Sequence, residues 1–176
     1  MKKTVLSLAL TTVFGLTAFA NPIDGEKKEV KTDESKIVWK AYKVGGSHEG
    51  TINLKSGVLE FDGEKLVGGT FVVDMTSITN TDMQGEYKGK LEGHLKSDDF
   101  FSVADYPTAA FDITSVEVLE DSEAGTHTIT GDLTVKGTTN EINFPATITQ
   151  EDDRMTAVAS FEIDRTLWDV NYGSGN

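Results

Sequence analysis

Most of the chain alternates between apolar and polar residues at every second position, which is the pattern of half-buried β-strands. In the first such run, Ile37, Trp39 and Ala41 share one face, and a lysine and a tyrosine between them share the other. Similar runs continue towards the C-terminus, and Asp62 with Gly63 forms a tight-turn signal between two of them. The pattern predicts about seven strands joined mostly by short turns, which favours antiparallel pairing in a barrel or sandwich.

One stretch near the middle of the chain follows a helical period instead. Its apolar stripe recurs every four residues and consists of Met83, Tyr87, Leu91 and Leu95. Thr81 with Gln84 three residues later fits a capping box at the start of the helix. A second stripe, formed by Gly85, Gly89 and Gly93, predicts a smooth face that packs closely onto the sheet.

The chain begins with the three parts of a secretion signal. Lys2 and Lys3 supply the positive end, and residues 5–16 supply an apolar core. Ala18 and Ala20 are the small residues that precede a cleavage site, which we place after Ala20. The core is shorter than the roughly 20 residues that a membrane-spanning helix needs, so we expect export without stable membrane insertion.

The sequence predicts three segments: a signal peptide over residues 1–20, a polar flexible leader over residues 21–34, and one domain over residues 35–176. The sequence contains no cysteine, so we expect neither disulfides nor a lipoprotein anchor, and packing must stabilise the domain. The net charge is −13, and −15 once the two lysines of the signal are removed. Such a surface disfavours nucleic acids and anionic membranes and keeps an exported protein soluble.

Several stretches carry a family resemblance. They are residues 37–50, residues 94–101, the Tyr-Pro-Thr-Ala-Ala-Phe run at 106–111, and the Gly-Asp-Leu-Thr-Val-Lys-Gly-Thr-Thr run at 131–139 with Phe144 beyond it. Their order and spacing resemble the YceI-like family over about residues 35–173. The middle and later motifs are specific when they occur together, whereas either alone is weak.

The resemblance implies an all-β fold, namely an elongated antiparallel lipocalin-like β-barrel with one inserted helix, exported to the bacterial periplasm. It also implies binding of a polyisoprenoid chain inside the barrel, in a family that is not an established enzyme family. Members usually continue past the Tyr-Gly-Ser-Gly stretch at 172–175 into one more strand. Because residue 176 follows this stretch directly, we expect the C-terminal closing strand to be missing and the domain to be truncated at its C-terminus.

The residues alone leave open whether the inward side chains enclose a cavity or interlock as a packed core, because a barrel of about eight strands permits both. The resemblance favours a cavity. We predict an apolar lining of Ile37, Trp39, Ala41, Phe71, Val73, Met75, Phe111, Ile113, Leu133, Val135, Phe144, Ala157, Ala159 and Phe161. Trp39 is the aromatic residue that we most expect to touch a ligand.

The expected function is transport or storage of an apolar isoprenoid lipid or quinone-like molecule, in the periplasm or as a secreted protein. The alternative is a structural or protein-interaction β-domain with a packed core and no ligand. We expect no metal and no enzymatic cofactor, since His48, His94 and His127 lie far apart without ligand spacing. An extracellular hydrolase lacks support, because no Gly-x-Ser-x-Gly nucleophile motif occurs. The sequence predicts no oligomeric state.

Overall fold

The computed structural model describes residues 5–15, 25–43, 45–120, 122–151 and 154–174, and for residues 5–15 it describes the backbone. Within these ranges the chain forms nine strands and one α-helix. They are β1 (Val5–Gly15), β2 (Glu26–Glu29), β3 (Lys36–Lys43), β4 (Gly46–Asp62), β5 (Lys65–Asn80), α1 (Gly85–Lys96), β6 (Thr108–Val118), β7 (His127–Val135), β8 (Thr138–Glu151) and β9 (Arg154–Asp164). A 3-10 turn, Arg165–Trp168, follows β9.

The strands from β3 to β9 pair in chain order, each antiparallel to the next. β1 lies between β9 and β3, so the sheet closes on itself into a barrel. β2 does not increase the number of strands around the barrel, because it pairs with the same edge of β4 as β3 does, further along that strand. This architecture confirms the predicted all-β antiparallel barrel with one inserted helix.

The segment predicted to be a signal peptide contributes β1. Its Leu8 is in register with Trp39 on β3 and with Phe161 on β9. From Leu6 to Leu10 leucine alternates with small or polar residues, a period that suits a strand as well as a signal core. The signal peptide remains a prediction, and its cleavage site lies outside the described residues. No strand follows β9 in the described chain. β1 pairs with β9 and β3 at the position in the sheet where a C-terminal strand was expected to be missing.

The prediction of a flexible leader over residues 21–34 is wrong for the part that the structure describes, which begins at Gly25. β2 pairs with β4, and the backbone N–H of Val30 donates to the carbonyl of Gly57 at 2.8 Å. The Val30 side chain is 6% exposed and belongs to the core. One apolar residue suffices here because Gly57 leaves room above it, whereas a periodicity argument needs several apolar residues in a row.

The helix lies where its period predicts, but its start and its glycine face differ from expectation. Gln84, not Thr81, is the N-cap residue, and no side chain caps the helix. The Thr81 hydroxyl donates instead to the carbonyl of Glu49 at 3.3 Å. A Cβ added at any of the three helix glycines would meet nothing within 4 Å, so that face points into open space and not onto the sheet.

Polar contacts and one apolar residue attach the helix to the barrel. Glu92 Oε1 accepts hydrogen bonds from Thr79 Oγ1 at 2.5 Å and from the backbone N–H of Asn80 at 2.8 Å. These hydrogen bonds hold the pKa of the Glu92 carboxyl below its usual range, and the bond from Thr79 has the larger effect. Leu95 is buried at 5% exposure, whereas Tyr87 of the same predicted stripe is 71% exposed. The C-terminal end of the helix therefore packs against the barrel.

Candidate functional site

The inner faces of the strands enclose an apolar space next to the helix, which we call the helix-side cavity. Its volume is about 100 Å³, and its exposed wall is apolar throughout. Seven of the predicted lining residues border it: Ile37, Trp39, Ala41, Val73, Met75, Leu133 and Val135. These residues come from β3, β5 and β7, and their period-two spacing turns them to the same side of the sheet.

A second apolar space, the far cavity, lies within the same barrel and has a volume of about 50 Å³. Six predicted residues border it: Phe71, Phe111, Ile113, Phe144, Ala157 and Ala159. Phe161, the remaining predicted residue, borders neither cavity. Its ring stacks on Phe144 with centroids 4.1 Å apart. Phe161 therefore supports the Phe144 ring, which borders the far cavity, from behind.

The interior is neither hollow nor completely filled. Two clusters of buried side chains pack within it, and Trp168 and Val170 are among the most deeply buried residues. Each of the two cavities is smaller than the 300–1,000 Å³ of a typical ligand pocket. An apolar ligand larger than a few carbon atoms therefore has to displace side chains or join the two spaces.

Beside the helix-side cavity is a wider opening of about 290 Å³, which we call the mouth. It is lined by Trp39, Ala41, Tyr42, His48, Leu91, His94, Leu95, Phe100, Arg165, Tyr172 and Gly173. Five of these residues also line the helix-side cavity: Trp39, Ala41, Leu95, Phe100 and Arg165. Tyr42 and Tyr172, at 40% and 56% exposure, place the outer end of the mouth at the surface. The two spaces therefore adjoin, and the mouth lies on the side towards solvent.

Trp39 stands at the junction of the mouth and the helix-side cavity. Its indole Nε1 donates to the carbonyl of Thr79 at 3.2 Å, which fixes the ring against β5. The ring lies over Gly50, where an added Cβ would collide with the Thr79 carbonyl and come within 2.6 Å of the indole. A glycine at position 50 is therefore what lets Trp39 lie flat against the barrel wall.

Arg165 lines both the helix-side cavity and the mouth, and His94 lines the mouth. Arg165 is buried, and its guanidinium donates to the carbonyls of Val170 and Tyr172. Burial lowers the pKa of Arg165, and the nearby charge of Asp164 partly offsets that effect. The Arg165 guanidinium carbon lies 5.0 Å from the centre of the Phe100 ring, a cation–π contact.

Sequence reasoning missed the helix-end residues and the arginine. Phe100 and Phe101 follow the helix in an otherwise acidic stretch, and this apolar pair is the signal that could have placed them inside. Ile163 and Arg165 both line the helix-side cavity, because Arg165 continues the inward parity of β9. The charge of Arg165 argues for an outward position from sequence alone, yet the parity is what the fold follows.

The histidines are partly brought together. His48 and His94 both line the mouth, whereas His127 does not. His48 Nδ1 lies 2.9 Å from Asp82 Oδ2. Within the described ranges, no group of three or more His, Asp or Glu side chains is arranged to hold a metal ion. No helix in that part of the chain has the length and apolar character needed to cross a membrane.

Comparisons with known proteins agree with this geometry. The model of the YceI-like domain matches residues 28–176. A UPF0312 protein of Pseudomonas putida is 32% identical over 153 residues, which are 86% of this chain and 75% of that protein. A UPF0312 protein of Vibrio campbellii is 30% identical over 149 residues, with 83% and 74% covered. Among solved structures, the YCEI protein of Campylobacter jejuni superposes with a TM-score of 0.55 at 23% identity, over 70% of this chain and 73% of that one, a likeness of fold alone.

Proposed function

The chain belongs to the YceI-like domain family, and on that premise we propose that it binds the hydrocarbon chain of an isoprenoid-type lipid inside its barrel. The observation that carries the proposal is the helix-side cavity, whose wall is apolar throughout and which adjoins the mouth. Water gains no hydrogen bonds in such a space, so an apolar ligand is its natural occupant.

The energetics favour a hydrocarbon chain over a polar metabolite. Each buried methylene group contributes about 0.8 kcal/mol, so a five-carbon isoprene unit contributes about 4 kcal/mol before the chain is ordered. The wall offers contact without directional partners, which suits a ligand whose units are all alike. The proposal is therefore one of binding, transport or storage and not of catalysis.

The small volumes require that the interior adapts to its ligand. Met75, which lines the helix-side cavity, has an unbranched side chain that repacks easily. Ala41 and Ala109 border the same space and leave room for a chain to pass along the wall. Binding of a long isoprenoid in this proposal joins the helix-side cavity to the far cavity by moving phenylalanine rings.

Export completes the proposal. The secretion signal predicted over residues 1–20 and the acidic composition support a role in the periplasm or outside the cell. There a carrier shields an apolar chain from water between membranes. In this proposal, cleavage after Ala20 removes β1 and leaves β3 and β9 as the two edges that it had joined. The bound molecule in this proposal is an isoprenoid lipid or a quinone-like compound.

A second candidate is a structural or protein-interaction domain without a ligand. The observation that favours it is the small size of both cavities, about 100 and 50 Å³. It predicts that no lipid enters the barrel.

Tryptophan fluorescence distinguishes the two candidates. In a Trp168→Phe variant, Trp39 is the remaining tryptophan, and its ring borders both the mouth and the helix-side cavity. We expect its emission to shift and saturate when geranylgeraniol is added, because the lipid contacts the ring where it borders the two spaces and changes its surroundings. The matched control is Trp39→Phe, in which Trp168, 1% exposed and bonded to the Leu133 carbonyl, reports little change. Unchanged Trp39 emission, with no displacement of an apolar dye, supports the ligand-free domain instead.

A further inference from the structure

The mouth contains a buried cation that no carboxylate of the described chain neutralises through an ion pair. Arg165 is 6% exposed. Its Nη1 donates to the Val170 carbonyl, and its Nη2 donates to the Tyr172 carbonyl at 2.6 Å. A guanidinium carries five N–H donors, so two carbonyls leave part of its donor capacity for another acceptor.

The acidic residue that precedes Arg165 in the chain offsets this charge only in part. Asp164 is exposed, and its Oδ1 accepts from the backbone N–H of Thr166 at 3.0 Å and from the Thr166 hydroxyl at 2.7 Å. Asp164 therefore caps the turn that follows β9. Arginine stays charged even when it is buried, so a positive charge remains beside an apolar cavity.

A second polar atom in the mouth also lacks a partner. His94 Nε2 is buried and has no hydrogen-bond partner among the described residues. The His94 ring meets the rings of Phe100 and Tyr172 edge-on, with centroids 5.8 and 4.3 Å away. Arg165 lies against the same Phe100 ring. Buried polar atoms are nearly always hydrogen-bonded, so the unpartnered His94 Nε2 and the spare N–H groups of Arg165 around one ring indicate an absent partner. An acceptor suits both, because the tautomer with the proton on Nε2 makes that nitrogen a donor.

We propose that the mouth binds an acidic head group, a phosphate or a carboxylate, of the lipid whose chain lies in the helix-side cavity. This inference rests on the proposed function. Arg165 and His94 Nε2 donate to the head-group oxygens, and such charge-assisted bonds are about twice as strong as neutral ones. Trp39, Leu95 and Phe100, which border both spaces, contact the first carbons of the chain.

The test compares three probes with one geranylgeranyl chain and different ends: the alcohol, the carboxylic acid and the monophosphate. Affinities come from displacement of an apolar fluorescent dye. We expect wild type to bind at least one acidic probe about tenfold more tightly than the alcohol, the effect of a hydrogen bond to a charged group. The acid and phosphate arms identify which of the two head groups fits.

Two variants test the assignment. Arg165→Met keeps an unbranched apolar stem, shorter than that of arginine, and removes the charge and its N–H donors, and we expect the ratio of acid to alcohol affinity to fall to about threefold or less. Lys65→Met is the matched control, since it removes one exposed positive charge at the turn between β4 and β5 and should leave the ratio unchanged. If circular dichroism shows that Arg165→Met does not fold, His94→Phe decides, because it keeps a ring and removes Nε2. We expect this variant to lower the ratio at least about threefold.

Each result has one meaning. Equal wild-type affinity for all three probes overturns the acidic head group and leaves the lipid-binding function standing. A preference that survives in the folded Arg165→Met variant, or in His94→Phe where that variant decides, overturns the assignment to the mouth. If wild type binds none of the probes, the proposed function fails, and this inference fails with it.

Discussion

Ala109→Leu tests whether the helix-side cavity is space that a ligand can occupy. Ala109 lies on β6, is 6% exposed, borders the cavity and is in register with Val73 on β5. Leucine adds three carbon atoms to a space of about 100 Å³. The variant should therefore stabilise the fold and block the ligand at the same time.

The two readings of the interior give opposite signs. In an open space, three added carbons gain at most about 2.4 kcal/mol of apolar burial. Ordering the new side chain costs about 0.5–1 kcal/mol, so the free energy of unfolding should rise by about 1–2 kcal/mol. In a packed core the same change strains its neighbours and lowers the free energy of unfolding by about 1–3 kcal/mol.

Urea unfolding measures the free energy, and an unchanged m value shows that the two states remain comparable. Dye displacement by geranylgeraniol measures binding, which we expect to weaken about tenfold, the loss of about two buried carbons of the ligand. Ala110→Leu is the control, because it adds the same atoms on the other face of β6 and should change neither quantity much. A destabilised Ala109→Leu protein with unchanged lipid affinity would refute the cavity.

Three further predictions concern the core, a carboxylate and the first strand. Phe144→Asp should unfold the protein or abolish lipid binding, as seen by circular dichroism and dye displacement, because a charge beside the Phe161 ring costs several kcal/mol; a stable variant with normal binding contradicts the inward placement. Burial raises the pKa of Asp82, but hydrogen bonds from Glu49 N–H, His48 and Asn80 outweigh this and lower it to about 2. Its stabilising contribution is therefore present above pH about 4 and lost as the pH falls towards 2, so Asp82→Asn should flatten the pH dependence of unfolding there; parallel curves for both proteins contradict this. Removing residues 1–20 deletes β1, so amide hydrogen exchange in β3 and β9 should accelerate, whereas equal exchange in both forms means that β1 does not pair with them.

The alternation of side chains made the barrel and most of its inner face predictable. Ile37, Trp39 and Ala41 border the helix-side cavity because successive side chains of a strand point to opposite faces. The same rule places Phe71 and Phe111, on neighbouring strands, at the far cavity. This information is local, so the sequence contains it.

The remaining features depend on contacts between distant segments. The period of residues 6–10 fits both a signal core and a strand. The position of β1 in the sheet depends on its pairing with β9 and β3, which are distant in sequence. The volumes of the two cavities depend on how side chains from different strands pack together, and the alternation of apolar and polar residues does not specify them. Arg165 is an exception, because its parity with Ile163 pointed inwards while its charge argued outwards. In such a conflict the charged residue is a candidate for function.

For the helix, the prediction of the packed face was wrong for a different reason. Its period was right, but the glycine face points to open space, because Glu92 and Leu95 set which side meets the barrel. A stripe of small residues therefore did not predict the packed side of this helix.

Mass spectrometry of protein isolated from its native compartment without detergent tests the central claim most directly. Organic extraction of the folded protein should release an isoprenoid-type lipid in roughly equimolar amount, and Ala109→Leu protein isolated in parallel should carry much less. Repeated isolation of folded protein with an empty barrel, from cells whose envelope contains such lipids, would contradict the account.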